Sequence, residues 1–365
     1  MPAYLTEALE LAKRGAGQTS PNPAVGAVIV RDGQVVGRGF HTYAARDHAE
    51  IVAIREAGDR VRGATLYTTL EPCSHTGRTG PCADALIAAG IQKVVAAMED
   101  PNPLVKGSGF AKLRAAGVEV EVDHSATPAA EQLNEPFIHA MKTGLPLVTL
   151  KAAVTLDGKI AAPEDNNGWI TSAIARAHVQ TLRHSHDAIL TGIGTVLADD
   201  CHLTDRSGLP RSRPLLRIVM DSLLRIPLES AMVREAQGDL LVVCTSAASA
   251  DRRHALESRG VRVLDLTGED GRASLPALVQ WLGKERYLSL MIEAGSKINW
   301  TALETGGADK IYFYYAPKIL GGLQSLPVAG GAGRKRRTDA IEFDRVQLHP
   351  VSPNEFAVEA YLRRP

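Results

Sequence analysis

His48-Ala49-Glu50, then Glu71-Pro72-Cys73, then Pro81-Cys82 set one imidazole, two thiols and a spare carboxylate within the first quarter of the chain. One imidazole and two thiolates give zinc three protein ligands and leave a fourth tetrahedral position for water, the arrangement of a catalytic site; a closed structural site needs another ligand. Glu50 lies two residues beyond His48 at an expected helix start, near enough for its carboxylate to approach the open position without ligating. Zinc lowers the pKa of bound water toward ~7, and a nearby carboxylate takes that proton and passes it to a leaving amine. The chemistry implied is hydrolytic deamination.

The spacing is unusual in one respect. The zinc-deaminase signature joins H-x-E to P-C-x-x-C, whereas here the eight residues Ser74–Pro81 separate Cys73 from Cys82. His75, Gly77, Arg78 and Gly80 in that insertion make a polar rim suited to an anionic substrate. His75 alternates with Cys73 along an extended chain and is expected to point away from the metal. Elsewhere the signals are weaker. Thr191-Gly192-Ile193-Gly194-Thr195-Val196-Leu197 follows a strand and contains G-x-G, but Leu197 stands where the dinucleotide fingerprint needs a third glycine or alanine, so a turn accounts for it. Adjacent Cys201 and His202 cannot cage a second metal by themselves. Arg334-Lys335-Arg336-Arg337 reads as a solvated loop.

These residues need elements to hold them. Apolar periodicity predicts an amphipathic helix over residues 4–14 and strands at 25–30 and 35–40 joined through Asp32-Gly33. A helix over 48–57, a strand at 65–70, a helix after Pro81, a strand at 93–98, a helix near 110–116 and a strand at 118–122 follow. Past Thr143-Gly144-Leu145-Pro146 a second series begins, with strands at 147–154, 188–191, 216–221, 240–244, 261–266, 288–293 and 310–315 and helices near 172–185 and 275–282. Alternating strands and helices mean an α/β protein. At ~150 residues per domain, the 365 residues suggest two domains, 1–145 carrying the zinc chemistry and 146–365.

Composition narrows the class. Apolar residues make up 45% and charged residues 22%, which excludes wholesale disorder and coiled-coil architecture. Lys plus Arg (41) balance Asp plus Glu (41), and residues 1–145 hold 14 basic against 16 acidic side chains, so neither half is a polycation for nucleic acid. The N-terminus lacks a basic then apolar leader, no run approaches ~18 apolar residues, and four cysteines are too few to staple the chain. A cytoplasmic protein without membrane or nucleic-acid partners is expected.

Pro21-Asn22-Pro23-Ala24-Val25-Gly26-Ala27-Val28, the His48-Ala49-Glu50 triplet, Thr69 through Cys82 and Asp100-Pro101-Asn102-Pro103 together resemble the bifunctional riboflavin-biosynthesis deaminase–reductases. In the second half, Lys151 through Ile160, Trp169-Ile170-Thr171-Ser172, Leu203-Thr204-Asp205-Arg206, Ile292-Glu293-Ala294-Gly295 and Tyr315 through Gly322 are similar to the same family, so the resemblance is close to full length. It implies a cytidine-deaminase-like three-layer sandwich followed by a dihydrofolate-reductase-like α/β domain. It also implies zinc-dependent deamination of 2,5-diamino-6-(5-phosphoribosylamino)pyrimidin-4(3H)-one, then NADPH-dependent reduction of the ribosyl group of 5-amino-6-(5-phosphoribosylamino)uracil to ribityl.

By the same resemblance His48, Cys73 and Cys82 are the zinc ligands and Glu50 the proton shuttle. Asn22, His41, Arg78, Arg183, Leu203, Arg206 and Glu293 meet substrate, with Arg183 and Arg206 suited to its 5′-phosphate. Ala153, Trp169, Thr171, Thr195, Asp199 and Gly295 meet NADPH. Partners are then small phosphoribosylated pyrimidines and further copies of the chain in a homo-oligomer. The sequence departs from the family pattern at Val52, where a second histidine is common, after Asp200, where proline is usual, and at Ala294. A nucleobase or nucleoside deaminase with a non-catalytic second half is the alternative, against which the second-half motifs argue; Glu50 beside an open zinc position argues against a merely metal-supported assembly module.

Overall fold

The computed structural model describes residues 1–76, 80–103, 105–164 and 168–363. The chain divides into two compact units: Met1–Gly144 together with Pro210–Arg213, and a second built from Leu145–Leu209 and the chain from Pro214 onward. Ser212 N–H donates to the Gly17 carbonyl at 2.9 Å within the first unit.

In the first unit, α1 (Ala3–Lys13) precedes the hairpin β1 (Gly26–Arg31) and β2 (Gln34–Phe40). Asp32 and Gly33 turn it with φ of 50° and 76°, the left-handed pair a two-residue hairpin loop requires. There follow α2 (Ala49–Ala57), β3 (Thr65–Thr68), α3 (Cys82–Ala89), β4 (Lys93–Ala96), α4 (Ser108–Ala115), β5 (Glu119–Val122), α5 (Thr127–Leu133) and α6 (Glu135–Thr143). The five-stranded sheet runs β2-β1-β3-β4-β5, antiparallel around β1 and parallel from β3 to β5.

Side-chain alternation on β1 builds three layers. Val28 and Val30 pack on Ala8 and Leu11 of α1, while Ala27 and Ile29 join Ala49, Ala53, Ala83 and Leu86 from α2 and α3 on the opposite face. The depth of α2 is set by two strand glycines. A β-carbon at Gly39 would lie 2.0 Å from the Ala49 carbonyl oxygen, and one at Gly37 would lie 2.2 Å from that of Ala53. Backbone therefore meets backbone where the first turn of α2 carries its chemical residues.

The second unit contains β6 (Leu147–Thr155), β7 (Lys159–Ala161), α7 (Ala173–His184), β8 (Ala188–Gly192), α8 (Ile193–Asp199), β9 (Leu216–Met220), α9 (Ala231–Arg234), β10 (Leu240–Cys244), α10 (Ala250–Glu257), β11 (Arg262–Asp265), α11 (Leu275–Lys284), β12 (Ser289–Ile292), α12 (Ser296–Glu304), β13 (Lys310–Ala316), β14 (Leu326–Pro327), β15 (Phe343–Ser352) and β16 (Glu355–Leu362). A nine-stranded sheet runs β11-β10-β9-β8-β12-β6-β13-β16-β15, with β16 the one strand reversed, so that the pairings β13–β16 and β16–β15 at one edge are antiparallel. The inner strands β8, β9, β10 and β12 are buried at every residue, as expected when helices cover both faces.

The α/β expectation holds for both units. Several elements go beyond the sequence reading: Ile193–Asp199 is a helix rather than an open turn, the helices α5, α9, α10 and α12 and the short strands β7 and β14 are additional, and β15 and β16 form a hairpin after β13. α10 has a weak apolar stripe with only Leu256 buried, and β15 is largely exposed, so burial leaves little pattern to read in either.

Candidate functional site

His48 is the residue that opens α2, and Cys82 is the first residue of α3. Those two helices converge with the extended segment carrying Cys73, and the ligand atoms of all three residues lie within 4.8 Å of one another. His48 Nδ1 stands 3.1 Å from Cys82 Sγ and 3.5 Å from Cys73 Sγ. A tetrahedron with metal bonds of about 2.0–2.3 Å has edges near 3.5 Å, so the donor set fits zinc. Among the described residues this is the group arranged to hold a metal; His75 is exposed and takes no part.

Glu50, 3% exposed, brings Oε2 to 3.5 Å from Cys82 Sγ. Burial pushes its carboxyl above the usual range, against the pull of His48. The two thiols share a hydrogen bond that draws Cys73 down, to about 4, and pushes Cys82 up. A proton-accepting carboxylate thus sits against the ligand cluster in a largely dry site.

Two further residues hold the rim. Asn22 Nδ2 donates to His41 Nε2 at 3.1 Å, and His41 Nδ1 lies 2.9 Å from the Asp47 carbonyl, which fixes the tautomer with the proton on Nδ1. The His41 ring meets the His48 ring edge-on, 5.2 Å between centroids. Asn22 and His41 therefore gather at the zinc cluster, whereas Arg78 lies outside the described residues.

Glu71, 2% exposed, escaped notice as a working residue in the sequence. Its carboxylate accepts four backbone N–H bonds, from Asp100 (3.1 Å), Gly107 (2.9 Å), Gly109 (2.8 Å) and Phe110 (3.1 Å). A β-carbon at Gly109 would fall 1.9 Å from the Pro72 carbonyl oxygen, so the start of α4 presses directly on the residue before Cys73. No local spacing announces this, because the donors lie 29 to 39 positions away.

In the second unit, chain connections leave the carboxyl ends of neighbouring β8 and β12 in opposite directions, toward β9 and toward β13. Such a switch point opens a crevice where open α/β sheets take ligands. Thr195 and Gly295 meet there: a β-carbon at Gly295 would sit 3.7 Å from Thr195 Oγ1. Gly194 in the first turn of α8 and Gly295 just before α12 put backbone without side chains at two helix starts, which suits the phosphates of a dinucleotide. Glu293, just past β12, pairs with Lys151 Nζ of β6 at 2.9 Å and with Arg183 Nη2 of α7 at 3.0 Å. Burial raises the Glu293 carboxyl, but the two cations outweigh it and hold the group at about 2.

The loop after α8 is pinned at three residues, His202, Thr204 and Asp205. Arg183 Nη1 donates to the Thr204 carbonyl (2.9 Å), buried Arg217 Nη1 to the His202 carbonyl (3.1 Å), and His184 Nδ1 stands 2.9 Å from Asp205 Oδ2. Leu203 lies between these bonds at φ of 52°, and Asp200, whose Oδ1 accepts the Ala231 N–H at 2.8 Å, has φ of 40°, conformations that cost about 1–3 kcal/mol each unless their surroundings enforce them. The Leu203 side chain packs in the core with Leu215 and Met232. Arg206 is exposed and anchored through its own N–H to Gln180 Oε1 at 2.9 Å. Arg183, in contrast, is buried and committed to Glu293 and Thr204.

Trp169 is 68% exposed, with the Arg176 guanidinium 4.6 Å from its ring, so it does not fill the core. Arg176 also donates to the Thr171 carbonyl at 2.8 Å, and Thr171 lines a cleft with Ile170, Ser172, Pro317 and Lys318. Ala153 is half-buried on β6, and Asp199 closes α8, its carboxyl raised by partial burial. His202 pairs with Glu235 at 3.0 Å rather than with Cys201.

Residues 2–98 match the cytidine and deoxycytidylate deaminase zinc-binding region, and residues 146–352 match the RibD C-terminal domain. The riboflavin biosynthesis protein RibD of Bacillus amyloliquefaciens is 39% identical, covering 96% of this chain and 94% of that one. The Escherichia coli protein of the same name is 42% identical, covering 96% of each. Among solved structures, Acinetobacter baumannii RibD superimposes with a TM-score of 0.88 at 37% identity, covering 99% of this chain and 98% of that chain. A diaminohydroxyphosphoribosylaminopyrimidine deaminase/5-amino-6-(5-phosphoribosylamino)uracil reductase from Thermotoga maritima does so with a TM-score of 0.85 at 34% identity, covering 99% and 98%. With both family regions present in one chain and relatives this similar end to end, the protein belongs to the RibD family of riboflavin biosynthesis proteins.

Proposed function

We propose that this chain deaminates 2,5-diamino-6-(5-phosphoribosylamino)pyrimidin-4(3H)-one in its first 145 residues and reduces the resulting 5-amino-6-(5-phosphoribosylamino)uracil in residues 146–365. The observation that carries the reading is the convergence of His48, Cys73 and Cys82 on one point with buried Glu50 against it. Zinc held there supplies Lewis acidity. Glu50 accepts a proton from the attacking water and delivers it to the departing amine, while Asn22 and His41 orient the pyrimidine. Arg78 meets the phosphoribosyl group.

In the second site NADPH supplies the hydride. Thr195 and Gly295 border the cofactor, with Ala153, Trp169, Thr171 and Asp199 completing its contacts. Arg206 takes the substrate phosphate from solvent. The backbone at Leu203 and the Glu293 carboxylate face the sugar, and Arg183 serves by fixing both, since its donors are already engaged. We place the enzyme in the cytoplasm as a homo-oligomer; four unpaired cysteines support a reducing compartment.

The test supplies the diaminopyrimidinone phosphate with and without NADPH and follows ammonia release and NADPH oxidation separately. Ammonia release independent of NADPH, followed by NADPH oxidation, is expected. Release of ammonia from a free base or nucleoside instead, with no NADPH oxidation, would defeat the reading.

A further inference from the structure

We infer that Asn134 is a positioning residue for deamination, acting through the backbone of Ala24 on Asn22. Asn134 lies between α5 and α6, 110 positions from Ala24, and is 3% exposed. Its carboxamide makes both halves of a strand-like rung: Ala24 N–H donates to Oδ1 at 2.8 Å, and Nδ2 donates to the Ala24 carbonyl at 2.9 Å.

Those two backbone groups precede the first ladder residue of β1, Gly26, and among the described residues no neighbouring strand pairs with Ala24. A buried N–H and C=O need partners, and one side chain with a donor and an acceptor on a planar fork meets both at once. Among side chains neutral at pH 7 a primary amide offers that pair on one fork, and Asn does so with the short stem present here. The clasp fixes the start of β1 and the Pro21-Asn22-Pro23 segment leading into it. Two residues upstream, Asn22 Nδ2 reaches His41 Nε2 at 3.1 Å, and His41 binds the carbonyl beside His48. Two hydrogen bonds to Ala24, the covalent Asn22-Pro23-Ala24 backbone and the Asn22–His41 bond together therefore link Asn134 to the rim of the ligand cluster, and none of these links touches a zinc ligand's donor atom. Asn134 sets where Asn22 stands without holding the metal.

This inference rests on Asn22 meeting the pyrimidine, and the experiment separates the two ideas. In the full-length zinc-loaded protein, Asn134→Asp keeps the acceptor toward Ala24 N–H but turns an oxygen toward the Ala24 carbonyl. It should raise KM for ammonia release about tenfold, the worth of one lost hydrogen bond. The kcat should stay within about twofold, with full zinc content and unchanged NADPH oxidation on the deaminated substrate. Asn134→Gln, which retains both groups on a longer stem, should give a smaller rise. Asn22→Ala alone should raise KM as well, and the double variant should show no further rise, because the two act in series.

Asn22→Ala with an unchanged KM refutes the substrate-contact reading, and this inference falls with it. If Asn22→Ala raises KM but Asn134→Asp does not, or if the two effects add, the positioning role alone is overturned. Loss of zinc in both Asn134 variants also overturns it, since the clasp would then be merely structural.

Discussion

Glu71→Gln should weaken the first unit far more than a change of one atom suggests. The carboxylate accepts two N–H groups on each oxygen, Asp100 and Gly107 on Oε2, Gly109 and Phe110 on Oε1, all between 2.8 and 3.1 Å. An amide keeps one acceptor oxygen and sets its NH2 donor-to-donor against the other pair. Two charge-assisted bonds are lost, at about 1.5–3 kcal/mol each, so the expected destabilisation is about 3–6 kcal/mol. At about 2–4 °C per kcal/mol for a unit of this size, the melting transition should fall by at least about 6 °C. Calorimetry of the full-length protein with zinc, scanned beside Glu119→Gln, reads the difference. Glu119 is 66% exposed in its pair with Lys93, so that control should shift by under about 1 kcal/mol. A Glu71→Gln shift no larger than the control, with chelators stripping zinc no faster than from wild type, would refute the clamp.

Glu50→Gln should retain zinc by elemental analysis while ammonia release falls about 10²–10⁴-fold, because the amide cannot carry the proton. Cys82→Ser should instead deplete the metal, and full retention would remove Cys82 from the ligand set. Arg206→Ala should raise the reductase KM with little change in melting, whereas Arg183→Ala, which breaks a buried pair with Glu293, should cost about 3–5 kcal/mol of stability; equal kinetic effects without any loss of stability would contradict the division. Glu293 has its carboxyl held at about 2, below its ordinary 4.5, so its contribution to stability is complete above pH 4.5 and lost as pH falls toward 2. Lys151→Met removes one of the two stabilising cations and should move that loss to higher pH in acid-melting curves; an unmoved acid limb would exclude Lys151 as a source of the shift.

Much of the molecule is written in local pattern. The three residues whose donor atoms gather as a group able to hold a metal, and the carboxylate beside them, were legible because zinc chemistry restricts residue types, and because His48 and Cys82 each mark a helix start that follows from nearby residues. The Asp32-Gly33 hairpin, the buried parallel strands and the break near Leu145 were equally legible, since turn chemistry and burial leave short-range periods. α10 and β15 were not, because weakly buried elements carry no such period.

Tertiary structure alone decided which polar residues act together. Nothing adjacent to Glu71 specifies its four donors, and nothing near Asn134 specifies Ala24. The sequence made Arg183 and Arg206 equivalent phosphate candidates, but the fold buries one against Glu293 and leaves the other in solvent. Leu203, quoted in a substrate motif, turns its side chain into the core. The short excursion Pro210–Arg213 joins the first unit although it interrupts the sequence of the second. The physical reason is common to all of these: residue type and periodicity constrain neighbours along the chain, whereas a buried donor or charge takes whichever partner packing brings within about 3 Å.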